Sequence, residues 1–241
     1  MKKILFFLAI AAISHSTQSQ IFAREKLTNL ENFDKQRWTW GYYFGLNEYD
    51  FKFNYDETKV NDVYTGKTLG FNVGLVGDLR LNDYLNLRLE PGLYYNTRNL
   101  TFPNQIGDAT FPADASEADF EREIKSTYIH IPLLLKVSTK RLNNIKPFVV
   151  GGFSYSHNLS SNEKNPDDNY AGQFRMKTGT LYYEVGFGVD MYLFFFKFTP
   201  SIRGVFALTD ELVRDEDPNS PYTSNIDKMM SRGVFLNFTF Q

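Results

Sequence analysis

The chain has 241 residues, and its 26 Lys and Arg stand against 28 Asp and Glu. This mild acidity excludes a protein that works on nucleic acid, whose phosphate backbone demands a basic patch. There is no cysteine, so disulfide frameworks and thiolate metal sites are excluded too. Aromatic residues make up 17% of the chain, with 23 Phe and 15 Tyr, a weight that fits strands with two unlike faces.

The first residues carry Lys2 and Lys3, a ten-residue apolar run from Ile4 to Ile13, then small and polar residues. This is the pattern of a secretory leader, too short to span a bilayer as a helix, and cleavage is expected after Ser19. Without it, 24 basic side chains face 28 acidic ones. Beyond it no apolar run approaches about 18 residues, which excludes spanning helices but leaves spanning strands open. The organisation read from the sequence is therefore a signal peptide over 1–19, an N-terminal periplasmic segment over 20–36 and a barrel over 37–241. In the segment, Ile21, Leu27 and Leu30 among charges allow either a short amphipathic helix or a simple tether.

The first strand places Trp38, Trp40, Tyr42, Phe44 and Leu46 on one face, with Gly41, Tyr43, Gly45 and Asn47 on the other. The next sets Leu69, Phe71, Val73, Leu75, Leu79 and Leu81 against Gly70, Asn72, Gly74, Asp78 and Arg80. A third opposes Leu85, Leu87, Leu89, Leu93 and Tyr95 to Asn86, Arg88, Glu90, Gly92, Asn96 and Arg98. In 127–137, Thr127, Ile129, Ile131, Leu133, Leu135 and Val137 alternate with Tyr128, His130, Pro132 and Lys136. The strand at 146–158 has faces of nearly equal character, so its inside and outside stay open. In 180–191, Leu181, Tyr183, Val185, Phe187, Val189 and Met191 oppose Thr180, Glu184, Gly186, Gly188 and Asp190. The last two strands put Phe196, Phe198, Ile202, Phe206 and Leu208, then Val234, Leu236, Phe238 and Phe240, on the apolar face.

Connections alternate in length, long at about 55–68, 99–125, 159–178 and 209–230, short at about 82–84, 139–145 and 192–195. Eight antiparallel strands with short turns on one rim and long loops on the other describe an all-β, up-and-down transmembrane β-barrel with short periplasmic turns and long outer loops. An exported soluble barrel would instead bury the Leu and Phe rows. The leader, the long strands, the loop asymmetry and the C-terminal "FLNFTF" favour the outer membrane of a Gram-negative bacterium, with lipid as the first partner. Asp78, Arg80, Arg88, Glu90, Lys136, Glu184, Asp190, Lys197 and Arg203 then line the lumen, where charges of both signs pair and fill it. Trp38, Trp40, Tyr84, Tyr192 and Phe240 are expected as an aromatic girdle at the short-turn rim.

The stretches "NFDKQRWTWGYYFGLNEYDFKF", "STYIHIPLLLKVS", "KPFVVGGFSYS" and "YYEVGFGVDMYLFFFKFTPSIRGVFAL" resemble the PorT family of outer-membrane barrels, over about 32–241. The second and fourth also occur in a broad superfamily of small barrels, while Asn32 to Phe53 is the more specific. The resemblance implies a non-enzymatic component of type IX protein secretion, needed for export of tagged proteins and gliding adhesins and partnered by other secretion subunits. It carries no catalytic residue with it.

Chemistry-bearing candidates are few. His130 reads as a lumen histidine hydrogen-bonded to a charge. His157, near Ser154, Ser156, Ser160 and Ser161, is the one candidate general base of a barrel enzyme. Asp215, Asp217 and Asn219 open like a calcium loop, but Ser220 replaces the turn glycine and no Glu follows at the twelfth position. Asp114, Glu117, Asp119, Glu121 and Glu123 form an acidic cluster that suits cations bridging outer-leaflet lipid. No catalytic, cofactor-binding or metal residue is assigned. A structural or adhesive barrel acting through its long loops is the competing reading.

Overall fold

The computed structural model describes residues 28–55, 63–102, 105–106, 109–111, 119–165, 169 and 174–241. The leader, Asp114 and Glu117 lie outside these. The strands are β1 (Trp38–Tyr55), β2 (Tyr64–Lys67), β3 (Leu69–Arg80), β4 (Leu85–Leu89), β5 (Gly92–Thr101), β6 (Gln105–Ile106), β7 (Ala109–Thr110), β8 (Glu121–Ser138), β9 (Ile145–Asn158), β10 (Gly179–Tyr192), β11 (Lys197–Ala207) and β12 (Ile226–Phe240). Apart from the small β6–β7 hairpin they form one antiparallel ring. It closes because β1 pairs with β12 on one side, Tyr42 opposite Phe240, and with β3 on the other, Tyr42 opposite Leu75.

The ring has eight staves because two are interrupted. Pairing shifts by one residue between Lys67 opposite Arg98 and Phe71 opposite Tyr95, so Thr68 is a bulge between β2 and β3, its hydroxyl donating to the Thr97 carbonyl. Between β4 and β5 the register does not change, since Leu89 faces Leu133 and Gly92 faces His130. Here Pro91 and Pro132, on adjacent staves, each lack the N–H that the ladder would use. The Pro91 carbonyl still accepts from Leu75 N at 2.9 Å, which holds the stave in place.

Outward and inward rows follow the alternation of the sequence. Trp40, Phe71, Leu75, Leu133, Val185 and Phe187 are exposed on the outer wall, and Tyr43, Asn72, Asp78, Arg88, His130 and Glu184 are buried in the lumen. The face left open in β9 is now assigned: Lys146, Phe148, Val150, Ser154, Ser156 and Asn158 point inward, Val149, Phe153 and Tyr155 outward. Two placements differ from expectation. Arg80 lies at the rim and pairs with Asp83 in the turn, because the lumen ends before it. Tyr192 is no girdle residue; it shares the parity of Asp190, points inward, and is 1% exposed.

The outer strand ends run further than the apolar alternation suggested. β5 and β8 pair out to Thr101 opposite Glu121, and β12 starts at Ile226, whereas β1 ends at Tyr55 as expected. Their outward residues there are mostly charged or polar, Asn99 and Thr101 on β5 and Glu121, Glu123 and Lys125 on β8, so the hydrophobic count stopped short of the pairing. The long loops also carry more than solvated charge. Phe51, Val63, Leu100, Phe102, Phe111, Ile124, Phe174, Met176, Leu212, Tyr222, Ile226 and Met229 form a second hydrophobic core above the barrel.

Candidate functional site

In the lower lumen one ionic chain links six staves. Asp78 takes Arg88 through two bonds of 2.7 Å, and Arg88 Nη1 reaches Glu90 Oε1 at 3.1 Å. Glu90 Oε2 lies 2.8 Å from Arg203 Nη2, whose Nη1 is 3.2 Å from Glu184 Oε2. Glu184 Oε1 meets His130 Nε2 at 2.7 Å, and His130 Nδ1 meets Ser156 Oγ at 2.6 Å. Beside this chain, Lys136 Nζ pairs with Asp190 at 2.6 Å, and Thr199 donates to Asp190 Oδ1 at 2.8 Å. Burying single charges is costly, and the alternation of sign offsets that cost.

Above it sits a layer of Tyr43, Tyr49, Tyr94, Tyr128, Tyr182 and Phe235. Tyr43 fits only because a glycine faces it: a Cβ on Gly92 would stand 2.1 Å from the Tyr43 hydroxyl oxygen. Arg98 crosses the layer, its guanidinium 3.9 Å from the Phe51 ring, donating to Ser231 at 2.8 Å and to the Tyr128 hydroxyl at 2.6 Å. Ser231 in turn donates to Glu211 at 2.8 Å. Arg88, Arg98, Arg203, Tyr94 and Tyr128 are all under 2% exposed in relative terms by residue, or at that limit. A water-filled pore would leave such lumen side chains wet, so the barrel interior is a packed core, as expected for eight strands.

Ser156, His130 and Glu184 stand in the order of an acyl-transfer triad, a pairing that the sequence spacing did not suggest. With Nε2–H donating to Glu184, Nδ1 accepts the Ser156 hydroxyl. None of the three reaches solvent, so no acyl group can approach Ser156 and the arrangement serves packing. His157 lies on the opposite face of β9 from Ser154 and Ser156, opposite Gly179, and the proposed base is not assembled with those serines.

The calcium reading of the outer loop meets an occupied carboxylate. Asp215 Oδ1 accepts from Arg175 Nη2 at 2.9 Å and from Asn169 N at 3.2 Å, and Oδ2 accepts from Ser220 at 2.5 Å. Glu123 pairs with Lys125 at 2.8 Å on the outer wall. The Asp215 bonds tie the loops into the cap, where Tyr222 packs edge-on to Phe102 and Phe111.

At the periplasmic end, Asn29 to Gln36 lies across the rim. A short 3-10 turn, Phe33–Lys35, sets Phe33 edge-on to Tyr192 and Asp34 Oδ1 2.5 Å from the Tyr192 hydroxyl. Asn29 Nδ2 donates to the Tyr192 carbonyl at 3.0 Å, Arg141 bonds the Asn29 carbonyl, and Lys197 lies over the Phe33 ring at 4.8 Å. The nearby turn leaves Phe194 and Phe195 exposed, Phe195 at 93%. This segment is therefore a plug against the barrel end from residue 29 onward, neither an amphipathic helix nor a loose tether there.

A closed eight-stave ring with an apolar outer wall, a charged sealed lumen and short turns beside both barrel-strand termini defines a small outer-membrane β-barrel. The chain belongs to the outer membrane protein beta-barrel domain family, whose sequence profile matches residues 18–213. Solved barrels are similar in architecture. OprG of Pseudomonas aeruginosa is 14% identical, with 83% of this chain and 94% of that chain covered and a TM-score of 0.43. Neisserial surface protein A is 10% identical, covering 82% and 95%, at 0.40. The attachment invasion locus protein of Yersinia pestis, solved with the heparin analogue sucrose octasulfate, is 11% identical, covering 85% and 99%, at 0.38. No curated protein matches the sequence.

Proposed function

We propose that this barrel is a non-enzymatic accessory or assembly subunit of the type IX protein secretion system, required for export of tagged proteins and gliding adhesins. The observation that carries the subunit role is the sealed lumen: a chain of buried ion pairs from Asp78 to Ser156 leaves no path for a polypeptide, so a part in export is played by surfaces. The resemblance of Asn32 to Phe53 to the PorT family supports the choice of system. Partner subunits then meet the periplasmic face, where the plug segment and the exposed Phe194 and Phe195 sit together. A clean deletion with complementation tests the reading. Loss of secreted enzymes from the culture fluid and of spreading on agar is expected; normal secretion and spreading in the deletion strain would overturn it.

The ordered outer cap favours a second reading, a structural or adhesive barrel working through its surface loops. Under that reading, trimming 212–226 alters surface binding or envelope integrity while secretion persists.

A further inference from the structure

On the outer wall the outward row of β1 changes from Phe44 and Leu46 to Glu48, Asp50 and Lys52, and that of β12 from Val234 to Arg232. The change marks where lipid tails give way to headgroups. Two adjoining grooves lie at this level across β10, β11, β12, β1 and β2. One, of about 340 Å³, is lined by Lys52, Tyr183, Phe206, Met230 and Arg232. The other, of about 170 Å³, adds Glu48, Asp50 and Lys67 and shares Phe206 and Arg232.

Asp50 Oδ2 holds two cations at once, Arg232 through Nη2 at 2.6 Å and Nε at 2.9 Å, and Lys67 at 3.3 Å. One carboxylate cannot saturate both. Arg232 keeps its Nη1 donors, and its side chain is 52% exposed, that of Lys67 46%. Lys52 has no ion-pair partner among the described residues. With Glu48 counted, three cations face two carboxylates over a floor in which Tyr183 and Phe206 stack at 5.0 Å. Arginine and lysine beside an aromatic floor suit a phosphate carried on an apolar anchor. At this depth on the outside of the barrel, the molecule that meets the groove is lipid.

We propose that the groove formed by Lys52, Lys67, Phe206 and Arg232 binds the phosphorylated glycolipid headgroup of the outer leaflet, with Asp50 holding the cations in place until phosphate competes for them. The test uses the full chain folded in detergent, with native mass spectrometry reading retention of diphosphoryl lipid A. The same lipid without phosphates and free inorganic phosphate serve as comparison probes, and heat-modifiable gel mobility checks folding. The wild type is expected to retain the diphosphoryl lipid, and the double variant Lys52→Gln/Arg232→Gln to bind it about tenfold more weakly. Asp50→Asn, which removes the competing carboxylate, is expected to bind at least as tightly as the wild type. Lys125→Gln, on the far stave β8, is expected to change nothing. Equal retention of the dephosphorylated lipid, unchanged binding by a folded double variant, or displacement by millimolar phosphate would each overturn the proposal.

Discussion

Replacing Arg203 by Met tests the ionic core most sharply. Its guanidinium lies between Glu90 at 2.8 Å and Glu184 at 3.2 Å, and the residue is 2% exposed. The surrounding lumen sets four carboxylates, Asp78, Glu90, Glu184 and Asp190, against four cations, Arg88, Lys136, Lys197 and Arg203. Removing one cation leaves a buried negative charge in excess. Breaking a buried pair from one side costs about 3–5 kcal/mol. Methionine keeps most of the packing volume, so little of that loss is cavity. Adding Glu184→Gln restores the charge balance, and Gln Oε1 still accepts from His130. The double variant is therefore expected to recover about 2 kcal/mol or more relative to the sum of the single changes. Urea titration of the folded barrel in lipid vesicles, followed by gel mobility and tryptophan fluorescence, measures all three variants. An Arg203→Met cost below about 1 kcal/mol, or strict additivity of the pair, would refute the reasoning.

Other consequences are local. Val185 faces outward in the middle of β10, so Val185→Arg should cost about 2–4 kcal/mol in vesicles, and refolding yields in bilayers will show it. Phe174 packs in the cap against Phe102 at 6.2 Å; Phe174→Ala should speed proteolysis within 159–178 and 209–225 while the heat-modifiable barrel mobility is kept. Glu163 accepts a 2.8 Å bond from the Thr178 amide, and hydrogen bonding to the Thr178 side chain and then to that amide holds its carboxyl below the ordinary carboxylate range. A depressed value means the contact is present at neutral pH and is lost as pH falls through that value. Protection of the Thr178 amide in hydrogen exchange, corrected for intrinsic rates, should therefore hold at neutral pH and drop only as the pH falls below the ordinary glutamate value, and a constant protection would contradict the contact.

The barrel was legible because the period of two survives in every stave but β9, and a lipid-facing row must stay apolar along its whole depth. Asp78, Arg88, Glu184 and Arg203 could be put in the lumen from parity alone. Tyr192 could not be placed by its amphipathic ring; counting from Asp190 would have set it inward, where Asp34 waits. β9 gave no face because Val150 and Phe148 pack inward beside Lys146, so both rows look greasy. The partners of each charge depend on which staves approach across the lumen, information with no trace in spacing. That is why Ser156 beside His130 was missed. The outer cap escaped for a related reason. Its apolar residues, Phe102, Phe111, Phe174, Leu212 and Tyr222, are scattered singly among polar neighbours in three separate connections and meet only once the ring is closed.

The central claim is that this barrel is sealed and works through its surfaces. Electrical recording from the purified full-length protein inserted in planar bilayers tests it most directly. The buried ionic chain predicts a silent barrel, with no current steps above background in wild type. Stable, reproducible conductance steps from the folded wild-type protein would contradict the account and reopen the lumen as a route.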